Sequence, residues 1–393
     1  MDKKSILVFG VGELQKSIIE RAKRRGLFVV GIDPCENAAC KDEVDAFEIV
    51  GGQDFEGTLA VARKYSIKAI VTAATDKPLI MMARVAIELN LPFYSVTTAE
   101  WSTDKYLMKQ RFLEGGVPCA KGILAKSVND VKDFCFPVIV KPRDNSGSRG
   151  VVFCKNTEEL QSCMNEAIQY SKKDTVLVEE VIEGQEYSIE SLHYDGKTEV
   201  IQFTEKKTTE FPYNVELGHK QPALLSDNQK EEIRKIINKI ASALNFQNCP
   251  SHTELKINKR GIFVIETSPR LGGDYITSKL VPLSTGINIE DQLLNIALGE
   301  RVDVVTGRVN KAAGVCFFSL PEGVVSKIDE NIKDAKNWPN MVDFDFKLKE
   351  GDVVNKITSS LNRYGQFIIK GNTRNEVDEL LSSYENKINA FIR

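Results

Sequence analysis

Ser251-His252-Thr253-Glu254-Leu255-Lys256-Ile257-Asn258-Lys259-Arg260-Gly261-Ile262-Phe263-Val264-Ile265-Glu266-Thr267-Ser268-Pro269-Arg270 reads as two β-strands folded back on each other. A three-residue loop, Lys259-Arg260-Gly261 with Gly261 left-handed, pairs Glu254 with Glu266 and His252 with Ser268. Two carboxylates then project from one face of the ladder, where directly opposed like charges destabilise unless something neutralises them. A Mg²⁺ ion, which takes carboxylates together with substrate phosphates, is one such partner; a solvent-facing charge pair is the bland alternative. Arg270 follows at once, ahead of a flexible Leu271-Gly272-Gly273-Asp274 turn. A guanidinium there can grip a phosphoryl group or a carboxylate through two parallel hydrogen bonds.

Working upstream, Val178-Glu179-Glu180-Val181-Ile182-Glu183-Gly184-Gln185-Glu186-Tyr187-Ser188-Ile189-Glu190 alternates so that Glu186, Ser188 and Glu190 share one face and Tyr187 and Ile189 the other. This is either the acidic wall of a pocket over an apolar core or an exposed edge strand. Earlier still, the strand Phe136 to Pro142 delivers Lys141 to a fixed place, and Arg143-Asp144-Asn145-Ser146-Gly147-Ser148-Arg149-Gly150-Val151 is a small-residue loop. Its backbone N–H groups and hydroxyls can lie on phosphate oxygens, although a solvated hairpin loop has the same composition.

Outward from these motifs the chain divides into regions of different pattern. The first ~95 residues alternate strands (Ser5–Phe9, Leu27–Ile32, Lys68–Ala74, Leu91–Tyr94) with helices at Glu13–Arg25 and Pro78–Leu89, as in a parallel sheet covered by helices. Leu14, Ile18, Ile19 and Ala22 are the expected buried stripe of the first helix. A helix from Thr103 to Glu114 is expected, capped by Ser102 or Thr103. Short strands with helices near 157–170 and 227–244 follow. The last ~90 residues mix strands at Ala313–Ser319 and Gln366–Lys370 with a closing helix from about Asn375 to Ile392.

With 52 Lys+Arg against 55 Asp+Glu, no global basic field attracts nucleic acid or an anionic membrane. No run approaches a membrane span and no signal-peptide core follows Met1, so a cytoplasmic protein is expected. The eight cysteines contain no Cys-x-x-Cys pair and read as reduced thiols.

Several alternatives fall away. Gly10-Val11-Gly12 with Asp33 suggests a dinucleotide site and an NAD-linked oxidoreductase, but Gln15 stands where that fingerprint needs Gly or Ala, and a tight strand-to-helix turn is the preferred reading. Gly196-Lys197-Thr198 lacks the first glycine of a phosphate loop and reads as a turn between strands. No Ser-His or Cys-His nucleophilic set is found. Of the three histidines His193 reads as structural, while His219 and His252 lie near the proposed site.

Taken in order, Asp104-Lys105, Val140-Lys141-Pro142, Ser146-Gly147-Ser148-Arg149-Gly150, Glu179 to Glu190, Glu254, Glu266 and Arg270 resemble the ATP-grasp superfamily of carboxylate ligases, over nearly the whole chain. Gly218-His219 and Pro269-Arg270-Leu271-Gly272-Gly273-Asp274 resemble its L-amino acid ligase, carbamoyl-phosphate-synthase-like and phosphoribosylglycinamide-synthetase-like group. The resemblance implies an α/β and α+β fold: an N-terminal Rossmann-like (pre-ATP-grasp) domain at 1–100, an ATP-grasp region at 101–300 with its small lobe at about 118–185, and a C-terminal α+β lobe at 301–393. It implies that Lys105 and Lys141 contact ATP phosphates under the Ser146, Gly147, Ser148, Gly150 loop. Glu179 would meet the adenine amino group by its side chain, Glu180 and Ile182 adenine through backbone groups, and Glu186 the ribose. Glu254 and Glu266 would be ligands of Mg²⁺, with Mn²⁺ as an alternative ion, and Arg270 would steady an acyl phosphate. One departure is plain: the family has Asn two residues after the second glutamate, and Ser268 stands there.

The expected reaction is ATP-dependent activation of a small carboxylate as an acyl phosphate, joined to an amine with release of ADP and phosphate; a catalytically weak nucleotide-binding subunit is the rival that Ser268 raises. Glu190 and His219 are candidates for the amine side, binding an ammonium or taking its proton. Segments near 200–225 and 270–285 are expected to form the acceptor pocket, and a homodimer through the N-terminal domain is the expected assembly.

Overall fold

The computed structural model describes residues 3–210, 213–390 and 392. Strands β1 (Ser5–Phe9), β2 (Phe28–Asp33), β3 (Ala46–Ile49) and β4 (Ala69–Val71) form a parallel sheet in the order β3-β2-β1-β4. The run Ser5-Ile6-Leu7-Val8-Phe9 is apolar on both sides because both faces are covered. Leu7 and Phe9 pack with helices α2 (Phe55–Lys64) and α3 (Leu79–Glu88), and Ile6 and Val8 with α1 (Lys16–Arg24). A helix from far along the chain, Ile289–Leu298, joins that second face, where Arg21 Nε donates to Glu290 Oε2 at 2.7 Å.

Two expectations for this region are corrected. Leu14 is exposed, because residues 13–15 form a tighter 3₁₀ turn that sends Gln15 inward instead. Leu91–Tyr94 is not a strand, since Pro92 has no N–H to give a ladder. Helices α4 (Val96–Thr103) and α5 (Lys105–Glu114) follow. The cap of α5 is Asp104 rather than Ser102 or Thr103: its Oδ1 accepts from the N–H groups of Tyr106 and Leu107 at 3.0 and 3.2 Å.

The small lobe is an antiparallel sheet in the order β5-β8-β6-β7, from β5 (Gly122–Ala125), β6 (Val138–Pro142), β7 (Val152–Cys154) and β8 (Val176–Glu180). Its apolar face is closed by α6 (Thr157–Ile168), through Leu160, Cys163, Met164 and Ala167.

The remaining strands build one eight-stranded sheet. It contains β9 (Gln185–Tyr194), β10 (Lys197–Thr208), β11 (Glu216–Gln221), β12 (Cys249–Asn258), β13 (Gly261–Ser268) and β14 (Ala312–Phe317). A two-stranded piece, β15 (Gly323–Val324) with β17 (Val353–Val354), lies apart from it, while β16 (Met341–Phe346) and β18 (Gly365–Gly371) extend it. The order is β13-β12-β9-β10-β11-β14-β18-β16, so the sheet crosses residue 301 without interruption. Helix α7 (Asp227–Leu244) packs its isoleucine stripe, Ile233, Ile236, Ile237 and Ile240, into the core that also holds Tyr187 and Ile189. Gly196 is indeed a turn residue: Asp195 and Gly196 both take positive φ between β9 and β10. Among the described residues no helix is long and apolar enough to cross a membrane.

Candidate active site

The β12–β13 hairpin brings the two glutamates opposite each other, but by a different route from that expected. Its loop has two residues, Lys259-Arg260, because Gly261 (φ +129°) already pairs with Asn258. A β-bulge then inserts Ile265 between the partners of Leu255 and Glu254, which restores the Glu254–Glu266 and His252–Ser268 pairs. The shorter loop and the extra residue cancel.

Registers across neighbouring strands place polar side chains in rows on one face. Glu266 faces Glu254, Glu254 faces Ser188, and Ser188 faces Thr204; in the adjoining row Ser268 faces His252, His252 faces Glu190, and Glu190 faces Gln202. Tyr187 and Ile189 point to the opposite, apolar face, so the acidic strand is a pocket wall and not an exposed edge.

Such a face needs counter-charge. Lys206 of β10 supplies it, with its buried ammonium 2.6 Å from Glu186 Oε1, 2.7 Å from Glu254 Oε1 and 3.4 Å from Glu216 Oε1. Burial alone would lower the lysine's pKa, but Glu186 and Glu254 outweigh it and hold it well above the usual range. Glu254 is likewise kept well below an ordinary carboxylate, burial being overcome by Lys206 and His252. Lys105, at the head of α5, forms an ion pair with Glu266. Each glutamate uses one oxygen in these contacts. Among the described residues no group of three or more carboxylate, imidazole or thiol donors is gathered into an all-protein cage. Two opposed carboxylates, each with an oxygen outside these contacts, are a donor set that Mg²⁺ accepts together with phosphate and water, so these residues fit the ion.

At the nucleotide end, Asp104 both caps α5 and receives Arg143 (Nη2 to Oδ2, 2.7 Å), while the Lys105 N–H donates to the Arg143 carbonyl at 2.8 Å. These contacts tie Lys105 to the strand that carries Lys141. The Ser146–Gly150 loop joins β6 to β7 with Gly147, Ser148 and Gly150 all at positive φ. Glu179, expected at the adenine amino group, has both its oxygens engaged here, one by Lys141 and the other by Lys109 at 2.6 Å. Its pKa is lowered, because the two lysines outweigh burial. The Glu180 N–H is donated to Lys121 O at 2.9 Å, and Ile182 is buried just beyond. Beside them a cleft of about 450 Å³ is lined by Glu186, Lys206, Thr208, Asn214 and Lys256. Asn214 Nδ2 donates to Glu186 Oε2 at 3.2 Å.

At the opposite end Arg270 is held by Asp76 of the N-terminal domain, with Nε 2.8 Å from Oδ1 and Nη2 3.1 Å from Oδ2. Ser268, expected as a metal donor, instead gives its hydroxyl proton to the same Asp76 Oδ1 at 2.5 Å. Glu190 lies fully buried, 2.6 Å from His252 Nδ1, and its second oxygen has no protein partner. His219 is buried with Nε2 3.6 Å from Asp274 Oδ2, and Asp274 is gripped bidentately by Arg363 at 2.7 and 2.8 Å. Arg363 stacks over the Phe317 ring at 3.6 Å.

The structure therefore gathers Lys105, Lys141, Glu179, Glu186, Glu254, Glu266, Ser268 and Arg270 along one run of charge, with Glu190 and His219 beneath the 270–285 turn. Sequence reasoning missed Lys109, Lys206, Asp76 and Arg363. Lys109 had a signal, four residues after Lys105 on a helix face; the other three become site residues only through tertiary pairing. The Gly10-Val11-Gly12 loop is occupied by its own chain: Val11 N–H donates to Asp33 and Gly12 N–H to Gln15. No donors remain there for a pyrophosphate, which supports the tight-turn reading.

A small antiparallel lobe beside a larger sheet whose polar face pairs carboxylates with lysines is the arrangement of an ATP-grasp protein. Comparison with known families agrees. Residues 134–278 match the ATP-grasp domain and residues 316–392 match L-amino acid ligase C-terminal domain 2, so the chain belongs to the ATP-grasp superfamily. It is 25% identical over 379 residues to alanine–anticapsin ligase of Bacillus amyloliquefaciens, covering 84% of this chain and 78% of that protein. In fold it is similar to L-amino acid ligase from Bacillus licheniformis (TM-score 0.84, 21% identity, 100% of this chain and 98% of that one). It is also similar to phosphoribosylglycinamide synthetase from Anaerococcus prevotii (TM-score 0.78, 24% identity, 100% and 99%).

Proposed function

We propose that this ligase joins amino acids or closely related small carboxylates and amines, acting as a cytoplasmic enzyme with the modules 1–100, 101–300 and 301–393, the last two sharing the eight-stranded sheet. The observation that carries the reading is Lys105: its backbone is bonded beside Lys141 and its ammonium lies on Glu266, so one residue spans the phosphate end and the carboxylate pair. Lys105, Lys141 and the Ser146–Gly150 loop would cradle the phosphates of ATP, and Glu186 with Asn214 the ribose. Glu254 and Glu266 would hold Mg²⁺, which supplies neutralisation of phosphate charge when bound.

A carboxylate oxygen of the first substrate attacks the γ-phosphorus and ADP leaves. The amine then attacks the acyl carbon and phosphate leaves, giving the amide. The chain performs little covalent chemistry itself; its work is positioning and charge stabilisation. Arg270 faces the acyl phosphate, and the loop around Gly147 excludes water that would hydrolyse it. Amine recognition falls to the buried region of Glu190, His219 and Asp274.

The test is ADP release from ATP and Mg²⁺ with pooled amino acids and small carboxylates, run beside Glu266→Gln. Pool-dependent ADP that vanishes in the variant supports the reading. ATP binding with no stimulation by any pool favours a nucleotide-binding subunit without turnover, and AMP in place of ADP defeats the acyl-phosphate route.

A further inference from the structure

The carboxyl ends of parallel strands are where open α/β sheets present their ligand-facing loops. In the N-terminal domain the first two of these loops are closed on themselves, through Asp33 and Gln15. The loop after β4, residues 72–78, behaves differently. Its Asp76 leaves the domain and meets residues 192 and 194 positions further along, Ser268 and Arg270.

Two independent features fix that meeting. The Asp76 carboxylate takes the Nε and Nη2 edge of the guanidinium side-on, while Nη1 donates to the Leu271 carbonyl at 3.0 Å, so the plane of Arg270 is determined by three contacts. The loop also runs beside the turn that follows Arg270: Ala74 adopts φ +54°, unfavourable for any residue with a Cβ, and a Cβ placed on Gly273 would be at van der Waals distance, 3.5 Å, from Ala74 Cβ. A backbone conformation of this kind persists where the surrounding structure holds the loop.

We infer that Asp76 is a positioning residue for Arg270: the N-terminal domain completes the ligase centre by orienting the guanidinium that faces the acyl phosphate. Ser268 is the coupling element, because its hydroxyl shares Asp76 Oδ1 with Arg270 Nε and so links the end of the carboxylate-bearing strand to the guanidinium. The side chain at 268 thus serves the arginine and not the metal. A bidentate carboxylate constrains an arginine's plane in a way a single acceptor does not. With Asp76 removed, Arg270 retains its charge and loses its direction.

The kinetic arm of the test rests on the ligase reading; the spectroscopic arm does not. In full-length protein labelled with ¹⁵N-arginine, the Arg270 Nε–Hε signal is identified by its loss in Arg270→Lys. Wild type is expected to show it downfield and slowly exchanging, and Asp76→Asn to move it to the position of solvent-exposed arginines. In turnover, Asp76→Asn is expected to lower kcat by roughly 10²-fold with KM for ATP unchanged, and Asp76→Glu to recover part of the loss. An unmoved Hε signal, or wild-type kcat in Asp76→Asn, overturns the proposal. Wild-type protein that releases no ADP with any pool defeats the ligase reading alone, and the Hε shift then decides the orienting contact. If Asp76→Asn does not fold, Ser268→Ala replaces it, with a smaller shift and a smaller fall in kcat expected; an unchanged signal there is equally fatal.

Discussion

Lys206 reaches Glu254 across the polar face of the large sheet, with Nζ 2.7 Å from Oε1, and the same ammonium holds Glu186 at 2.6 Å. The lysine is almost completely buried at the floor of the cleft, so its charge is compensated by these carboxylates and not by bulk solvent. Lys206→Met leaves Glu186 and Glu254 to the longer contacts from Lys256 at 3.6 Å and His252 at 3.5 Å. Removing one member of a buried charged group costs about 3–5 kcal/mol. Urea unfolding of the variant is expected to show a loss of that size with an unchanged m-value, and a loss below about 1 kcal/mol would mean that solvent reaches the site.

His193 gives a pH signature away from the proposed chemistry. Its ring is bonded to Thr198 Oγ1 at 3.0 Å and Ser251 Oγ at 2.8 Å, and burial pulls its pKa down from 6.5 to about 3. Between those values the unfolded chain carries a proton that the folded chain refuses, so stability rises with pH across that window. The contribution is complete above pH 6.5 and is lost as the pH falls toward 3, with a slope approaching about 1.4 kcal/mol per pH unit. Unfolding free energies measured from pH 7 to pH 4 are expected to lose about one proton of slope in His193→Gln; an unaltered slope would refute the neutral buried imidazole.

The order of elements and the opposition of the two hairpin carboxylates were legible because they depend on local alternation and turn residues. The Glu254–Glu266 pairing was reached with the wrong loop, since a bulge at Ile265 has no sequence signature distinct from ordinary alternation. Leu14 was misplaced because one 3₁₀ turn rotates a helix face by more than pattern reading resolves. Glu179 and Ser268 were given ligand roles by position in a motif, whereas their partners, Lys109 with Lys141 and Asp76, come from other elements. Lys206, Asp76 and Arg363 could not have been selected from the sequence, because each is one charged residue among many until the sheet and the domain contacts bring it to a partner.

Gly272 sits where the chain passes closest to the buried Glu190–His252 pair. A Cβ there would lie 2.7 Å from His252 Nδ1 and 3.0 Å from both Glu190 oxygens. Neither side chain has space to retreat, since Glu190 is fully buried and His252 is held between Glu190 and Glu254. Gly272→Ala is therefore expected to cost about 1–3 kcal/mol by overpacking, seen as a lower Tm, and to reduce ligase turnover while ATP binding persists. A variant as stable and active as wild type would show that the turn stands further from the sheet.

Arg363 closes the amine end from the C-terminal part of the chain. It binds both oxygens of Asp274, stacks on Phe317, and shares Asp274 Oδ2 with His219. Asp274 is held well below the usual carboxylate range because Arg363 and His219 overcome its burial, so it remains an anion that Arg363 keeps in place. The cleft beside Glu186, where the ribose would sit, has no lining residue from this cluster. Arg363→Met is thus expected to raise KM for the amine by roughly 10-fold or more, the equivalent of one or two hydrogen bonds to a charged group, with KM for ATP unchanged. Initial rates with each substrate varied in turn make the distinction. A rise in KM for ATP of the same size would place Arg363 in general support of the fold, and no change in either constant would remove the C-terminal lobe from substrate recognition.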